Sequence, residues 1–340
     1  MIKPLDPKNL KAFLESKPRV LITMHRGPDG DAIGSALGWR HILKHFGIDA
    51  DVVSPDGYPD NLHWLPDDQV VVNFERQPER AESIVKEADV VFCLDFNAPA
   101  RLGNFADLVT QSGNRIIVID HHRFPQPFAD EYYVDDSASS TSEMICRLAL
   151  DMGAEEAIDR KAALCLYTGI VTDTGSFRFS SVTPDVLRMA AKLLETGMDH
   201  TRVYSEIFDS HTLMRQKLIG YALSQKLVVV PGTSAAYISL SEEELNRYES
   251  KKGDTEGLVN EALSIRGVSF AAFFYERDGA VKVSLRSKGK FDVQVIASRY
   301  FNGGGHVNAS GGTSRLSLEE SCLKFEEIAR EYAALKTETP

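Results

Sequence analysis

RVLITMHRGPDGDAIGSALGWRHILKHFG, residues 19–47, decides the fold class. Its opening RVLITMH (19–25) is apolar, β-branched and of the length of a buried strand. The polar turn HRGPDGDA follows, then a helical stretch from about Ile33 to Phe46 that stops at Gly47, a natural residue just past a helix end. Strand, loop and helix in that order open a βαβ unit, and the order recurs downstream. DADVVS (49–54) and QVVVNF (69–74) read as strands. A helix over 78–88 leads into ADVVFCLDF (88–96), and a helical stretch over 105–110 leads into NRIIVIDHH (114–122). The alternation predicts an α/β fold with a doubly wound, mostly parallel sheet.

Past Asp136 the pattern turns helical, over 139–153 and 158–175, and SFRFS (176–180) reads as a short strand. Helical patterns over 183–197 and 211–225 look like a connector. From Lys226 onward long β-rich runs alternate with three helical patterns, the last near 318–335, which predicts a smaller α/β domain with a mixed sheet. A chain of 340 residues exceeds the size at which single cores stop growing. The expected domains are 1–190, a helical connector 191–225, and 226–340.

Lys and Arg total 38 against 49 Asp and Glu, a net charge of −11. Such a surface repels a long polyanion, so duplex DNA is not an expected partner, while a small phosphorylated ligand held by metal ions is compatible. The amino terminus carries acidic residues and prolines with no apolar targeting segment, and no apolar run approaches the ~20 residues of a membrane span. A cytoplasmic protein without a membrane partner is expected; a homodimer is left open. The four cysteines form no CxxC pair and read as reduced packing residues. His41, His45, His63, His200 and His211, together with Trp39, Trp64 and Arg178, read as structural.

In an open parallel sheet the ligand site lies beyond the carboxyl ends of the strands. The residues ending these strands are His25, Asp95 and Asp120-His121-His122, and the first loop adds Asp29 and Asp31. One Asp at a strand end is ordinarily a cap. Imidazoles and carboxylates at three strand ends are a metal-ligand pattern. Oxygen and nitrogen donors without thiolate suit Mn²⁺ first, with Mg²⁺, Fe²⁺ or Co²⁺ as substitutes. With Asp173 added the set overfills one octahedron, so two ions sharing a bridging carboxylate fit better. Two such ions are suited to phosphoester hydrolysis.

These segments, HRGPDGDA with Gly34-Ser35, then Asp95, then Asp120-His121-His122, then Asp173 in TDTGSFRF, resemble in order the four motifs of the DHH phosphoesterase superfamily. SLRSKG (284–289) and GGGHVNASGG (303–312) resemble its DHH-associated domain, so the likeness covers almost the whole chain. It is strongest to the stand-alone nanoRNase and pAp phosphatase type, also labelled exopolyphosphatase-related. The resemblance implies one ion on His25, Asp29 and Asp95. It implies a second on Asp31, Asp95, His121 and Asp173, with Asp95 bridging. Asp120 then supports a ligand from behind, and His122 faces substrate. Gly27 stands where the family commonly has Asn, which implies a changed loop rather than a lost ligand.

In the second domain, Arg286 offers a fork suited to phosphate, with Ser284 and Ser287 as hydroxyl donors. Gly303, Gly304 and Gly305 let backbone amides approach an anion, with His306 beside them. Arg101 reads either as a phosphate or base contact or as half of an ion pair. The implied site lies between the domains and admits short RNA or small nucleotides, which it hydrolyses to mononucleotides; pAp is a second implied substrate. Phosphodiester hydrolysis of pApA or cyclic dinucleotides, pyrophosphatase or polyphosphatase activity, and a non-catalytic nucleotide-binding regulator are the alternatives.

Overall fold

The computed structural model describes residues 2–251 and 253–337. Chain contacts divide it into two compact units, Met1–Ser210 and His211–Pro340. In chain order the first unit runs α1 (Pro7–Glu15), β1 (Val20–Met24), α2 (Gly30–His45), β2 (Asp51–Ser54), β3 (Val71–Asn73), α3 (Pro78–Glu87) and β4 (Val90–Leu94). It continues through α4 (Ala106–Thr110), β5 (Arg115–Asp120), β6 (Glu131–Val134), α5 (Thr141–Asp151), α6 (Arg160–Asp173), α7 (Pro184–Glu195) and α8 (His200–Phe208).

Six strands form one sheet in the order β3-β2-β1-β4-β5-β6, every pairing parallel. β1, β4 and most of β5 are buried on both faces, which is why they read as unbroken apolar runs. One face packs on α1, α2, α5, α6, α7 and α8 through Leu10, Ile33, Leu37, Ile145, Leu166, Met189 and Val203. The other packs on α3 and α4 through Ala81, Val85 and Val109. The chain winds outward from β1 in one direction and from β4 in the other. The crevice beyond β1 and β4 is therefore the switch point of the topology, where such sheets bind ligands.

The second unit runs α9 (Leu213–Tyr221), β7 (Leu227–Val229), β8 (Ala235–Leu240), α10 (Glu242–Arg247), α11 (Leu258–Ser264), β9 (Phe270–Arg277) and β10 (Ala280–Ser287). α12 (Val293–Tyr300), β11 (Gly304–Gly305), β12 (Ala309–Ser314) and α13 (Leu318–Thr337) complete it. Its sheet, β11-β12-β10-β9-β8-β7, is mixed, with only β8 and β9 parallel.

Three features differ from the sequence reading. The stretch 191–225 is not a body of its own: Leu193 and Val203 join the first core, Leu218 and Ala222 the second. SFRFS is a turn rather than a strand. Ser176 and Phe177 both have positive φ, and the Thr174 hydroxyl accepts from Phe177 N–H at 3.0 Å. The sixth strand, β6, escaped the reading because EYYV is only four residues long and half-buried beyond its first pair.

Candidate metal centre and active site

β1 delivers His25 to the crevice, and the next loop delivers Asp29 and Asp31. Asp29 is the N-cap of α2: its Oδ1 accepts from Asp31 N–H (3.0 Å) and Ala32 N–H (3.1 Å). The other oxygen, Oδ2, faces His25 Nε2 at 3.9 Å. Gly27 takes φ +65° and donates its N–H to Asp56 Oδ1 at 2.6 Å, so the loop keeps a left-handed turn that Asn also tolerates.

α2 lies against α6 because small residues let the two backbones approach. A Cβ on Gly34 would sit 2.6 Å from the Cys165 carbonyl oxygen, and one on Gly169 would sit 2.7 Å from Asp31 Oδ1. That closeness brings Asp31, at the start of α2, to the end of α6, where Asp173 lies. Asp31 is buried and accepts from Thr141 N–H at 2.6 Å and Ser142 N–H at 2.9 Å, so the positive end of α5 supports its charge.

Asp95 leaves β4 with φ +65°, a conformation that Asp adopts more readily than most residues. Its two oxygens divide between two imidazoles. Oδ2 lies 3.3 Å from His25 Nε2, and Oδ1 lies 3.5 Å from His121 Nε2. Thr141 Oγ1 donates to Oδ1 at 3.0 Å. His121 Nε2 also lies 3.4 Å from Asp173 Oδ2 and 4.0 Å from Asp31 Oδ2. Both imidazoles are oriented from behind. His25 Nδ1 donates to the Arg26 carbonyl (2.9 Å) and His121 Nδ1 to the Ala138 carbonyl (3.3 Å). Because a carbonyl can only accept, the proton is fixed on Nδ1 and each Nε2 is turned toward the carboxylates.

His122 differs: its Nδ1 donates to Asp120 Oδ1 at 2.7 Å. The carboxylate behind the DHH segment thus orients His122, while a backbone carbonyl orients His121. Asp120 is fully buried, and its Oδ2 has no hydrogen-bond partner among the described residues.

The electrostatics follow from crowding. Burial opposes the charge on His121, but Asp173, Asp95, Asp31 and Asp120 outweigh it and push its pKa up to about 9. Burial likewise opposes charge on His25, and the Asp95 hydrogen bond with the Asp29 and Asp95 charges raises it nonetheless. Burial and the charges of Asp95 and Asp173 raise Asp31 well above the carboxylate range. Burial, only partly offset by His121, lifts Asp173 to about 6. Burial works against the Asp95 charge too, yet the His25 hydrogen bond and the three imidazolium charges hold its carboxyl far below the usual range.

Ligand atoms within 4.8 Å of one another converge in the sets His25, Asp29, Asp95; Asp31, His121, Asp173; and Asp95, Asp120, His122. These sets could hold divalent metal. The donors fit such a group: all are oxygen or nitrogen, acids outnumber imidazoles, and Asp120 carries an orphaned buried oxygen. Two contributors went unnoticed in the sequence, Thr141 and Ser142. The run SASSTS (137–142) ahead of α5 was the signal, since it marks a helix start able to meet an anion with free amides.

Arg101 is exposed. Its carbonyl accepts from Arg26 N–H at 2.7 Å, and its charge is felt at His25, where it lowers proton affinity. In the second unit Lys282, Ser284 and Arg286 share the less buried face of β10. Ser287 does not: it is buried on the opposite face, donates to the Phe291 carbonyl at 2.5 Å and accepts from Asn308 Nδ2 at 2.8 Å. Period-two alternation thus removes Ser287 from the expected substrate contacts and makes it a brace for the loop that follows. Gly304 and Gly305 pair with Gly311 and Ser310. A Cβ on Gly303 would lie 1.9 Å from the Gly311 carbonyl oxygen, so strand closeness requires that glycine, whereas Gly304 faces open space. The His306 amide donates to the Ala309 carbonyl at 2.8 Å and closes the turn.

Residues 19–170 match the DHH family, N-terminal domain, and residues 233–334 match the DHHA1 domain. The chain is 30% identical over 321 residues to the bifunctional oligoribonuclease and PAP phosphatase NrnA of Bacillus subtilis, covering 94% of each chain. It is 33% identical over 314 residues to the protein of that name in Thermus thermophilus, covering 92% of this chain and 89% of that one. Among solved structures, an exopolyphosphatase-related protein from Bacteroides fragilis superposes with TM-score 0.93 at 38% identity over 98% of both chains. Among the described residues no helix is long and apolar enough to cross a membrane. With both domains matched and full-length relatives on either side, the chain belongs to the DHH family and is a phosphoesterase.

Proposed function

We propose that this phosphoesterase hydrolyses short oligoribonucleotides to mononucleotides and also dephosphorylates pAp, using two divalent cations, Mn²⁺ first among them. The observation that carries the reading is the division of Asp95, one oxygen toward His25 and the other toward His121. His25, Asp29 and Asp95 would hold one cation; Asp31, Asp95, His121 and Asp173 the other. Cations bound there supply an acidified water and neutralise charge on phosphoryl oxygens.

The protein's own groups do the rest. Asp120 holds the Nδ1 proton of His122, so His122 Nε2 is left to meet a phosphate oxygen or a leaving oxygen and gives it a proton when the ring is doubly protonated. The Arg26 and Ala138 carbonyls keep the other two imidazoles from rotating. In the second unit, Ser284, Arg286, Gly304, Gly305 and His306 are assigned to the substrate phosphates, with Arg101 as a further contact. A chain of net charge −11 with local phosphate contacts suits a short strand better than a long one.

The names of the Bacillus and Thermus relatives support this choice of substrates. The test is Mn²⁺-dependent product release from di-, tri- and pentaribonucleotides, a long RNA, pAp, pApA, cyclic di-AMP and pyrophosphate, with Asp95→Ala as control. Fastest turnover of the short RNAs and pAp, silenced in the control, is expected. Preference for pyrophosphate or cyclic di-AMP overturns the substrate assignment and leaves the metal centre standing.

A further inference from the structure

We propose that Phe124, with Arg123 stacked on it, is the platform on which a base of the nucleotide substrate stacks beside the metal centre. This rests on the oligonucleotide reading and names a base-recognising residue for it. Phe124 is a bulky residue at φ +59°, a conformation its side chain disfavours, and it is 72% exposed. Packing inside the chain does not explain such a residue, because the strained backbone buries almost no apolar surface.

The loop that carries it is pinned. Asn97 Nδ2 donates to the Arg123 carbonyl at 2.6 Å, and Gln126 N–H donates to the Asn97 carbonyl at 2.8 Å. Both flanks of Phe124 are therefore tied to the residue two places beyond Asp95. Two places before Phe124 stands His122, itself held by Asp120. Two peptide units span at most about 7.6 Å, so the Phe124 Cα lies within that distance of the His122 Cα. The Arg123 guanidinium carbon sits 5.0 Å from the ring centroid, and Arg123 Nε lies 3.6 Å from Asp136 Oδ2. With Arg123 over the ring, a residue 72% exposed still presents most of its surface to solvent. A fixed, exposed aromatic face beside a phosphate-handling centre suits a nucleobase of any sequence, since every base offers a π-face.

The test uses the Mn²⁺-loaded full chain with Phe124→Ala, Phe124→Leu and Phe124→Trp. Diadenylate is compared with an analogue in which the bases are replaced by hydrogen. Alanine and leucine are expected to raise KM for diadenylate about 5- to 150-fold with kcat nearly unchanged, tryptophan to restore it, and the baseless analogue to be indifferent. Equal losses on both substrates, or no loss on either, overturn the platform. So does a KM change that tracks a shift in sedimentation, which would mark Phe124 as a contact with a second copy. Calorimetry with AMP and ribose 5-phosphate separates this idea from the substrate reading. If the protein cleaves no oligoribonucleotide, yet binds AMP more tightly than ribose 5-phosphate and loses that preference in Phe124→Ala, only the substrate reading falls. If AMP and ribose 5-phosphate bind the native protein alike, the platform falls whatever the activity.

Discussion

His122 and Asp120 act as a pair, and their variants should show it. Asp120→Asn keeps the shape but offers no charge to hold the Nδ1 proton of His122, and His122→Ala removes the imidazole altogether. Each is expected to lower kcat about 10²- to 10⁴-fold, the range for a positioned proton donor. The double variant should be no slower than the worse single one; steady-state rates of all three check this. The pH response of the metal-free protein has a definite sign. His121 is raised to about 9 from 6.5 and Asp173 to about 6 from 3.8, so the folded state binds more protons than the unfolded chain between about pH 4 and 9. Stability from both groups is complete below their unfolded values and is lost as pH climbs through the folded ones. Asp95, shifted the other way, matters only in stronger acid. Tm of the metal-free protein should therefore fall from pH 5 to 9. With Mn²⁺ present it should rise, because ligands must shed protons to bind; scanning calorimetry across that range reads both. The strand-end residues were legible because a parallel sheet gathers strand ends at one edge. Thr141 was not, because its contribution comes from a hydroxyl and an amide at a helix start brought in by folding.

The pairing of α2 with α6 depends on absent side chains. Gly34→Ala pushes a methyl group against the Cys165 carbonyl oxygen, a backbone atom that cannot step aside, whereas Gly38→Ala meets only the movable end of Leu166. The first should cost about 1–3 kcal/mol in urea unfolding and weaken Mn²⁺ binding, since it separates Asp31 from Asp173. The second should cost less and leave metal affinity intact. This scale also marks what the sequence hides. β1, β4 and β5 are apolar without interruption and were plain to read, but SFRFS alternates like a strand and still turns, because Thr174 caps it and Ser176 and Phe177 take left-handed φ. Ser287 shows the converse: alternation along β10 was enough to place it opposite Arg286, had the strand's period been applied to the motif.

At the scale of the molecule, the division at Ser210 falls in an exposed stretch between α8 and α9. Brief digestion with a non-specific protease should cut there first and yield fragments with the masses of Met1–Ser210 and His211–Pro340. The expected two-domain layout was legible from the change of texture at Lys226. The division itself was not, because α7 and α8 look like a free connector until Leu193 and Val203 are seen in the first core. The carboxylates and imidazoles of the first unit that face one another are drawn from β1, α2, β4, β5 and α6, and Asp173 is the last of these in the chain. A growing polypeptide on the ribosome therefore lacks this set until α6 has been synthesised, about half of its 340 residues. Before that moment the cell's divalent cations find at most the first set, His25, Asp29 and Asp95, and whatever folding the second set favours begins past the middle of synthesis.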